Sequence, residues 1–273
     1  MFDDDATFGV EIECFGTTRP AILEKLLERG INAEIQMYNH EGYDKFKITL
    51  DGSCTSEGTE PIMSLQGEMV LKGIEIVSPV LHGYDGLNQL KIVCEVLNEL
   101  GAQVDFTTGV HVHHDASNID VNGLKNLLVF CYNNQDIFNA LMPENRRTTV
   151  CAYCKGLDSI EITKIKKSKT KEGISRNLRT RHRFVNARSY RRGHNTVEFR
   201  QLEGTIDYYT IEKWVMLTYA AVKYAKSLDE LLKIRLTYMS FDKKLNKFLK
   251  DLDIRNTDLS NFVHQRINEF NEK

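Results

Sequence analysis

The sequence contains no long apolar run and no excess of charge of one sign, and each absence excludes a class of protein. A helix that crosses a membrane needs roughly 18 or more apolar residues, whereas the best short run, Leu127–Tyr132, lies inside an amphipathic pattern. The 36 Lys and Arg residues are balanced by 38 Asp and Glu residues, so the basic excess of a general nucleic-acid coat is missing. The acidic start, Met1–Asp5, has no apolar segment, and we expect no signal peptide.

Two nucleotide-binding motifs are also missing, and the cysteines do not form a zinc motif. Neither the Gly-x-x-x-x-Gly-Lys of a P-loop nor the Gly-x-Gly-x-x-Gly of a Rossmann domain occurs, so a bound nucleotide would be held through metal ions and arginines. Cys151 and Cys154 form a single Cys-x-x-Cys, whereas a zinc site needs about four ligands. We expect reduced thiols in a cytoplasmic protein, with a structural role for this pair; zinc binding and redox chemistry are the alternatives.

Short strand-like runs and helices alternate over the first two thirds of the chain, and the last part is helical. The predicted strands are Phe8–Phe15, Glu34–Tyr38, Phe46–Leu50, Met69–Val77, Val104–Phe106, Val110–His114, His182–Ala187 and Asn195–Leu202. The predicted helices are Thr18–Arg29, a helix capped by Asp85 that ends at Leu100, a helix capped by Asp120, then Asp207–Lys226, Ser227–Leu236 and two further segments. We expect a main domain at residues 1–226 and a helical appendage at residues 227–273.

Residues 164–192 break this pattern because they are strongly basic and contain a single acid, Glu172. The first half, at about residues 164–181, is predicted to be a mobile basic loop. It could close over a nucleotide, dock an acidic peptide, anchor nucleic-acid phosphates or be a solvated loop. Nucleic acid is disfavoured because the segment lacks interleaved aromatic residues.

Three predicted strands carry functional side chains at a spacing of two residues, which places both members of each pair on one face. The pairs are Glu11 and Glu13, His111 and His113, and Glu198 and Arg200, and a fourth strand carries Glu75 between two isoleucines. A solvated face of an antiparallel sheet gives the same alternation, but it would also draw on Lys, Thr, Ser and Gln. The four strands together predict a face with four carboxylates and two histidines.

Such a face needs a cation, because neighbouring carboxylates repel one another. Oxygen-rich sites with an occasional imidazole suit Mg²⁺ or Mn²⁺ better than structural zinc. Two such ions could clamp a triphosphate and neutralise charge as a phosphoryl group moves. Arg200, on the same face as Glu198, would then meet the transferred phosphate.

Six short motifs occur in an order that points to one family. They are Phe8–Glu13, Asp51–Ser53, Gly73–Pro79, Gly109–His113, Arg146 or Arg147 followed by Tyr153–Cys154, and a closing block of Arg183–Asn186, Thr196–Arg200 and Gly204–Thr205. In this order they resemble the amidoligase family, whose members are carboxylate–amine ligases similar to glutamine synthetase and γ-glutamylcysteine synthetase. The resemblance spans about residues 8–225 and departs from the family between Asp51 and Glu75 and in the lysine-rich stretch 164–171.

The resemblance implies an α+β fold, with a curved, glutamine-synthetase-like antiparallel sheet and helices on its outer face. It implies an ATP- and Mg²⁺- (or Mn²⁺-) dependent ligase that joins a carboxylate to an amine through an acyl phosphate. The implied metal ligands are Glu11, Glu13, Glu75, His111 and Glu198. The implied phosphate-facing residues are His113, Arg183 and Arg200, and the residues implied to position substrate or nucleotide are Asn186 and Asp51. Asp51 could also deprotonate the attacking ammonium.

Three other functions remain open at this point. A metal-dependent hydrolase could use the same carboxylates and histidines without a nucleotide. A binding module could retain the fold without the chemistry, and residues 164–192 could bind nucleic acid. For a ligase, the expected substrates are amino acids, peptides or protein side chains, because nothing in the sequence marks an ammonia channel.

Overall fold

The computed structural model describes residues 2–36, 44–52, 54, 60–63, 69–192, 195–235 and 239–271. The strands are β1 (Thr7–Cys14), β2 (Ala33–Ile35), β3 (Phe46–Asp51), β4 (Glu60–Met63), β5 (Met69–Val77), β6 (Leu81–His82), β7 (Gly109–Asp115), β8 (Val185–Asn186) and β9 (Thr196–Glu203). The helices are α1 (Arg19–Glu28), α2 (Gly83–Glu99), α3 (Val121–Asn133), α4 (Gln135–Ala140), α5 (Ser159–Lys167), α6 (Lys171–Asn177), α7 (Tyr208–Lys226), α8 (Phe241–Asp251) and α9 (Asp258–Asn271), with short 3₁₀ helices at Glu144–Arg146 and Arg188–Arg192.

The chain forms two compact units, and the first, the N-terminal unit, comprises Asp3–Val112 and Leu202–Glu212. Its strands follow the order β2-β3-β5-β1-β7, with β4 paired to β5 and β6 paired to β1. Strands β2 and β3 are parallel, whereas β3–β5, β4–β5, β1–β5 and β1–β6 are antiparallel. One face of this sheet is apolar, because Ile12, Ile48 and Ile76 are buried. The opposite face is therefore the one that carries the polar side chains.

The second, the C-terminal unit, comprises His113–Gln201 and the chain from Lys213 onward, together with Phe2. Its strand order is β7-β9-β8, and β8 and β9 are antiparallel. The core of this unit is aromatic: the ring centroid of Phe138 lies 5.6 Å from those of Phe184 and Phe248 and 6.2 Å from that of Trp214. Helix α8, which carries Phe248, thus shares this core. The division of the chain at residue 226 remains a prediction.

These observations confirm the α+β class and the mostly antiparallel sheet. The predicted strand Met69–Val77 is β5, and the strand predicted at Phe8–Phe15 is β1. Asp120 caps α3, because its Oδ1 accepts a hydrogen bond from the Gly123 N–H at 2.6 Å. In the described part of the chain, no helix is long and apolar enough to cross a membrane.

Three predictions of local structure were wrong. Asp85 is not an N-cap: it lies in the first turn of α2, whose N-cap is His82, and an acid there also favours the helix dipole. Residues 104–106 form no strand, since Asp105 Oδ1 accepts a hydrogen bond from the Thr107 N–H at 2.8 Å and closes a turn. Residues 227–235 form no helix, because the backbone of Leu232 donates instead to Asn126 Oδ1 at 2.8 Å.

The basic segment is not a loop, which corrects the prediction for residues 164–181. Helix α5 begins with a capping box formed by Asp158 and Glu161, and α6 begins at a Thr170 cap. The apolar positions that hold the two helices, Ile162, Ile165 and Ile174, are buried. The helical spacing of these isoleucines is hard to recognise in the sequence because lysines lie between them. The lysines in the last turn of α5 interact favourably with the helix dipole.

Candidate functional site

The N-terminal unit contains a cluster of carboxylates around one imidazole, which we call the carboxylate–histidine cluster. Its members are Glu11 and Glu13 of β1, Glu75 of β5 and His111 of β7. The antiparallel register places Glu13 directly opposite Glu75. His111 Nδ1 lies 2.9 Å from Glu11 Oε2, and His111 Nε2 lies 3.8 Å from Glu13 Oε1. The Gly109 N–H donates to Glu13 Oε2 at 2.7 Å, which fixes the position of this carboxylate.

Strand alternation explains why these side chains gather on one face. The residues between them, all at most 2% exposed, are Val10, Ile12, Ile74, Ile76, Val110 and Val112. Glu13, Glu75 and His111 are themselves buried, whereas the side chain of Glu11 is 25% exposed. A buried carboxylate is costly unless it is paired or coordinates a metal. The cluster is thus anionic and mostly buried, and Glu11 is its most exposed member.

The donor set fits a hard divalent cation. One ligand atom each from Glu11, Glu75 and His111 lie within 4.8 Å of one another. Mg²⁺ holds its ligand atoms at about 2.1 Å, so these three atoms would move closer together around a bound ion. Two carboxylates with an imidazole suit Mg²⁺ or Mn²⁺. Opposed carboxylates such as Glu13 and Glu75 destabilise a sheet when no cation separates them.

Sequence reasoning missed Thr49, which belongs beside this cluster. Thr49 lies directly opposite Glu75 in the β3–β5 register. It is buried, and its Oγ1 has no hydrogen-bond partner within the described part of the chain. A buried hydroxyl in this state fits a ligand or an ordered water. The clue in the sequence was its spacing of two residues from Asp51, which places both side chains on one face of β3. Asp51 is half-buried and ends β3 opposite Gly73.

The C-terminal unit contains a second set of predicted residues, which we call the arginine cluster. It consists of Glu198 and Arg200 of β9, Asn186 of β8 and His113 of β7. Asn186 pairs with Glu198 in the β8–β9 register, and its Nδ2 donates to Glu198 Oε2 at 2.7 Å. The other oxygen of Glu198 accepts from Arg200 Nη1 and lies 3.9 Å from His113 Nε2. Glu198 is therefore held on both oxygens.

Arg146 supports this cluster from behind. It is buried, and its Nη2 and Nε donate to the carbonyl oxygens of Arg200 and Gln201 at 2.7 and 3.3 Å. The neighbouring Arg147 instead donates to the carbonyl oxygens of Met142 and Phe270. The motif comparison left Arg146 and Arg147 as alternatives, and these contacts identify Arg146 as the one that positions Arg200.

Arg183 is engaged elsewhere in the same unit. Its Nε and Nη2 contact the two carboxylate oxygens of Glu161 at 3.1 and 2.6 Å, and Nη2 lies 3.4 Å from Asp158 Oδ2. Arg183 Nη1 also donates to the Gly156 carbonyl oxygen. Two-pronged pairs of this kind are the strong arginine–carboxylate contacts. These contacts tie the start of α5 to the segment that precedes β8, and the role of Arg183 at phosphate remains a prediction.

Adjacent histidines of β7 differ in environment because they point to opposite faces of the strand. His113 is half-exposed and near Glu198, whereas His114 is buried, with Nε2 2.7 Å from Thr218 Oγ1. Burial, with a smaller effect of the His113 charge, lowers the pKa of His114 to about 3. His114 is therefore a neutral core residue, which leaves His113 as the imidazole of the arginine cluster.

Comparison with known proteins gives a family match and distant structural likenesses. The family described as "putative amidoligase enzyme" matches residues 4–222. No curated protein matches the chain. Among solved structures, the chain matches one described as a novel glutamine synthase homolog, with 10% identity and a TM-score of 0.37. That match covers 96% of this chain and 64% of the other.

Proposed function

Because the chain belongs to the amidoligase family, we propose that it is an ATP- and Mg²⁺- (or Mn²⁺-) dependent carboxylate–amine ligase. It would form an amide bond through an acyl phosphate, in the cytoplasm. The observation that carries the proposal is the carboxylate–histidine cluster, in which Glu11, Glu75 and His111 bring ligand atoms within 4.8 Å of one another. A hydrolase with the same ligands would need no nucleotide, and the family favours the ligase.

The residues of the carboxylate–histidine cluster would hold the metal. A bound divalent cation would neutralise charge on the triphosphate and on the phosphoryl group in transfer. Glu11, Glu75 and His111 would be ligands, and Glu13, fixed by Gly109, would be a further ligand that also orients the imidazole. Thr49 would hydrogen-bond a ligand or water at the buried end. Glu198 is proposed as a ligand whose orientation Asn186 sets.

The arginine cluster would bind anions. Arginine has a planar guanidinium that matches phosphate oxygens, and Arg200 is held by Glu198 at the side chain and by Arg146 at the carbonyl. A group held in this way stabilises charge in the transition state without reorganising. His113 would donate a second hydrogen bond to phosphate, and Arg183 would act mainly through the pair that it makes with Glu161.

The chemistry follows from the poor reactivity of a carboxylate. A carboxylate oxygen of the acid substrate attacks the γ-phosphorus of ATP, and ADP leaves. The amine nitrogen then attacks the acyl carbon, and inorganic phosphate leaves. Positioning and electrostatics would supply most of the catalysis. Asp51 is proposed to take the proton that the ammonium loses. The substrates would be amino acids, peptides or protein side chains.

The proposal is tested by isothermal titration calorimetry of ATP with and without Mg²⁺. We expect Mg²⁺-dependent binding by the wild type and its loss in Glu75→Gln. Glu28→Gln is the matched control, since Glu28 is exposed on α1 of the same unit and pairs locally with Lys25. ADP release is then followed with panels of acids and amines. Folded, metal-loaded protein that binds no ATP would exclude the ligase and favour the hydrolase or the binding module.

A further inference from the structure

A short Cys-x-x-Cys segment, Cys151–Cys154, lies in the C-terminal unit beside the arginine cluster. The chain bends at residues 152–154, and both cysteines are buried free thiols. Cys154 Sγ donates to the Arg146 carbonyl oxygen at 3.2 Å and is also hydrogen-bonded to Cys151. The side chains of Cys151 and Cys154 are therefore neighbours.

This segment touches Arg200 in two ways. The carbonyl oxygen of Tyr153, between the two cysteines, accepts from Arg200 Nε at 3.4 Å. Arg146 accepts from Cys154 with its carbonyl and donates to the Arg200 carbonyl with its guanidinium at 2.7 Å. The backbone of Tyr153 and the thiol of Cys154, the latter through Arg146, are thereby connected to the arginine of the cluster.

The two thiols differ in character from the other cysteines. The hydrogen bond from Cys154, with the nearby Arg146 guanidinium, lowers the pKa of Cys151 to about 6, although burial opposes this shift. The same hydrogen bond and burial raise the pKa of Cys154. Burial raises the pKa of Cys14 and Cys94 to about 12. Because the thiolate is the reactive form, Cys151 combines a ready nucleophile with an adjacent partner thiol.

We propose that Cys151 and Cys154 are an oxidation site at which a peroxide forms a disulfide that displaces Arg200. The Cys151 sulfur attacks one peroxide oxygen, the O–O bond breaks, and a sulfenic acid forms while water or an alcohol leaves. The Cys154 sulfur then attacks the Cys151 sulfur, the S–O bond breaks, and water leaves with the Cys154 proton. Two electrons pass from the thiols to the peroxide. The Arg146 carbonyl loses its S–H donor, and the Tyr153 carbonyl moves as the sulfurs close to bonding distance.

The site is tested with hydrogen peroxide followed by alkylation and peptide mass spectrometry. We expect the peptide with Cys151 and Cys154 to lose two hydrogen atoms, reversibly with dithiothreitol, at least about tenfold faster than Cys94 or Cys131 oxidises. Cys154→Ala should stop at a sulfenic acid that dimedone traps on Cys151. Cys151→Ser gives a second test if Cys154→Ala does not fold, because it should abolish the disulfide. Oxidation of Cys94 or Cys131 at the same rate as Cys151 would refute the site.

The coupling to Arg200 is tested separately by amide hydrogen exchange. We expect severalfold faster exchange in β9 of the oxidised protein and no change in peroxide-treated Cys151→Ser. Unchanged exchange in a fully formed disulfide would refute the coupling. An effect on nucleotide binding rests on the proposed function: oxidation should weaken Mg²⁺-dependent ATP binding in the wild type only. If reduced protein binds no ATP, the ligase proposal fails, while the mass and exchange results still decide the oxidation site.

Discussion

The carboxylate–histidine cluster and the arginine cluster use the same backbone device and differ in charge. Both place functional groups at alternate positions of paired strands, opposite an apolar face. In the first, Glu13 faces Glu75 across β1 and β5, so like charges are brought together. In the second, Glu198 is bound by an amide and a guanidinium, so its charge is already balanced.

In the proposed function, this difference would separate two tasks. A bound cation stabilises a cluster of like charges most, because it removes the repulsion between carboxylates that the folded chain brings together. A carboxylate that is already paired with an arginine is stabilised little by a cation, but the pair fixes the guanidinium in a position to bind an anion. On that proposal, the first cluster would mainly bind metal and the second would contact phosphate, and four experiments test the comparison.

The largest expected effect concerns Arg183, whose membership in the arginine cluster is at issue. Glu161→Gln removes one partner from a buried ion pair, and we expect a loss of about 3–5 kcal/mol in the free energy of unfolding, measured by urea denaturation. Glu172→Gln, on the exposed side of α6, should change little. In a double-mutant cycle with Arg183→Met, the two losses should be far from additive. Additive losses would show that Arg183 and Glu161 are not coupled, and they would favour the predicted role of Arg183 at phosphate.

Glu75→Gln tests the charge of the carboxylate–histidine cluster. We expect Mg²⁺ affinity to fall by about 100-fold or more, because even indirect supports of a metal site contribute 10- to 100-fold. Without metal the same change should stabilise the fold by about 0.5 kcal/mol, since it removes a repulsion between opposed residues. Calorimetry and thermal unfolding in EDTA measure the two effects, with Glu28→Gln as control. A variant destabilised without metal would show that the carboxylates are structural.

Arg200→Lys tests the arginine cluster without removing its charge. We expect kcat to fall by about tenfold or more, because lysine cannot reproduce the planar contacts, while Mg²⁺ affinity stays at the wild-type value. Steady-state ADP release measures this, and Arg179→Lys on the exposed pair with Asp158 is the control. A fall in Mg²⁺ affinity equal to that of Glu75→Gln would erase the distinction between the clusters.

The smallest effect separates the two neighbouring histidines of β7. His114 has a folded-state pKa of about 3, lowered from 6.5 by burial, so below pH 6.5 only the unfolded chain takes up its proton. As the pH is lowered from about 6.5 to about 3, the free energy of unfolding should therefore decrease, by up to about 1.4 kcal/mol per pH unit. His114→Gln should remove this part of the slope, and His264→Gln on α9 should not. Equal slopes in all three proteins would show that His114 is not held neutral.

The elements predicted best from the sequence are those whose alternation of apolar and polar residues is visible within a few positions. Strands β1, β5 and β7 alternate between one apolar and one polar face, so their type and their functional positions follow from spacing alone. The pairing of Arg183 with Glu161 was out of reach, since the partners are 22 residues apart and meet only in the tertiary fold. Helices α5 and α6 were missed because lysines outnumber the apolar positions that hold them. Residues 227–235 have a helical pattern, but asparagine side chains of α3 bind their backbone instead.

The register of β1 against β5 has a consequence for how such proteins diversify. A deletion or insertion of one residue inside either strand would turn the side chains beyond that point to the opposite face. Carboxylates would then face the apolar core, and isoleucines would face the cluster. Lineages can therefore vary the lengths of the connections between strands, but not the strands themselves. We expect related chains to keep a single residue between the positions of Glu11 and Glu13, and an unbroken β5 around Glu75, even where almost nothing else is shared.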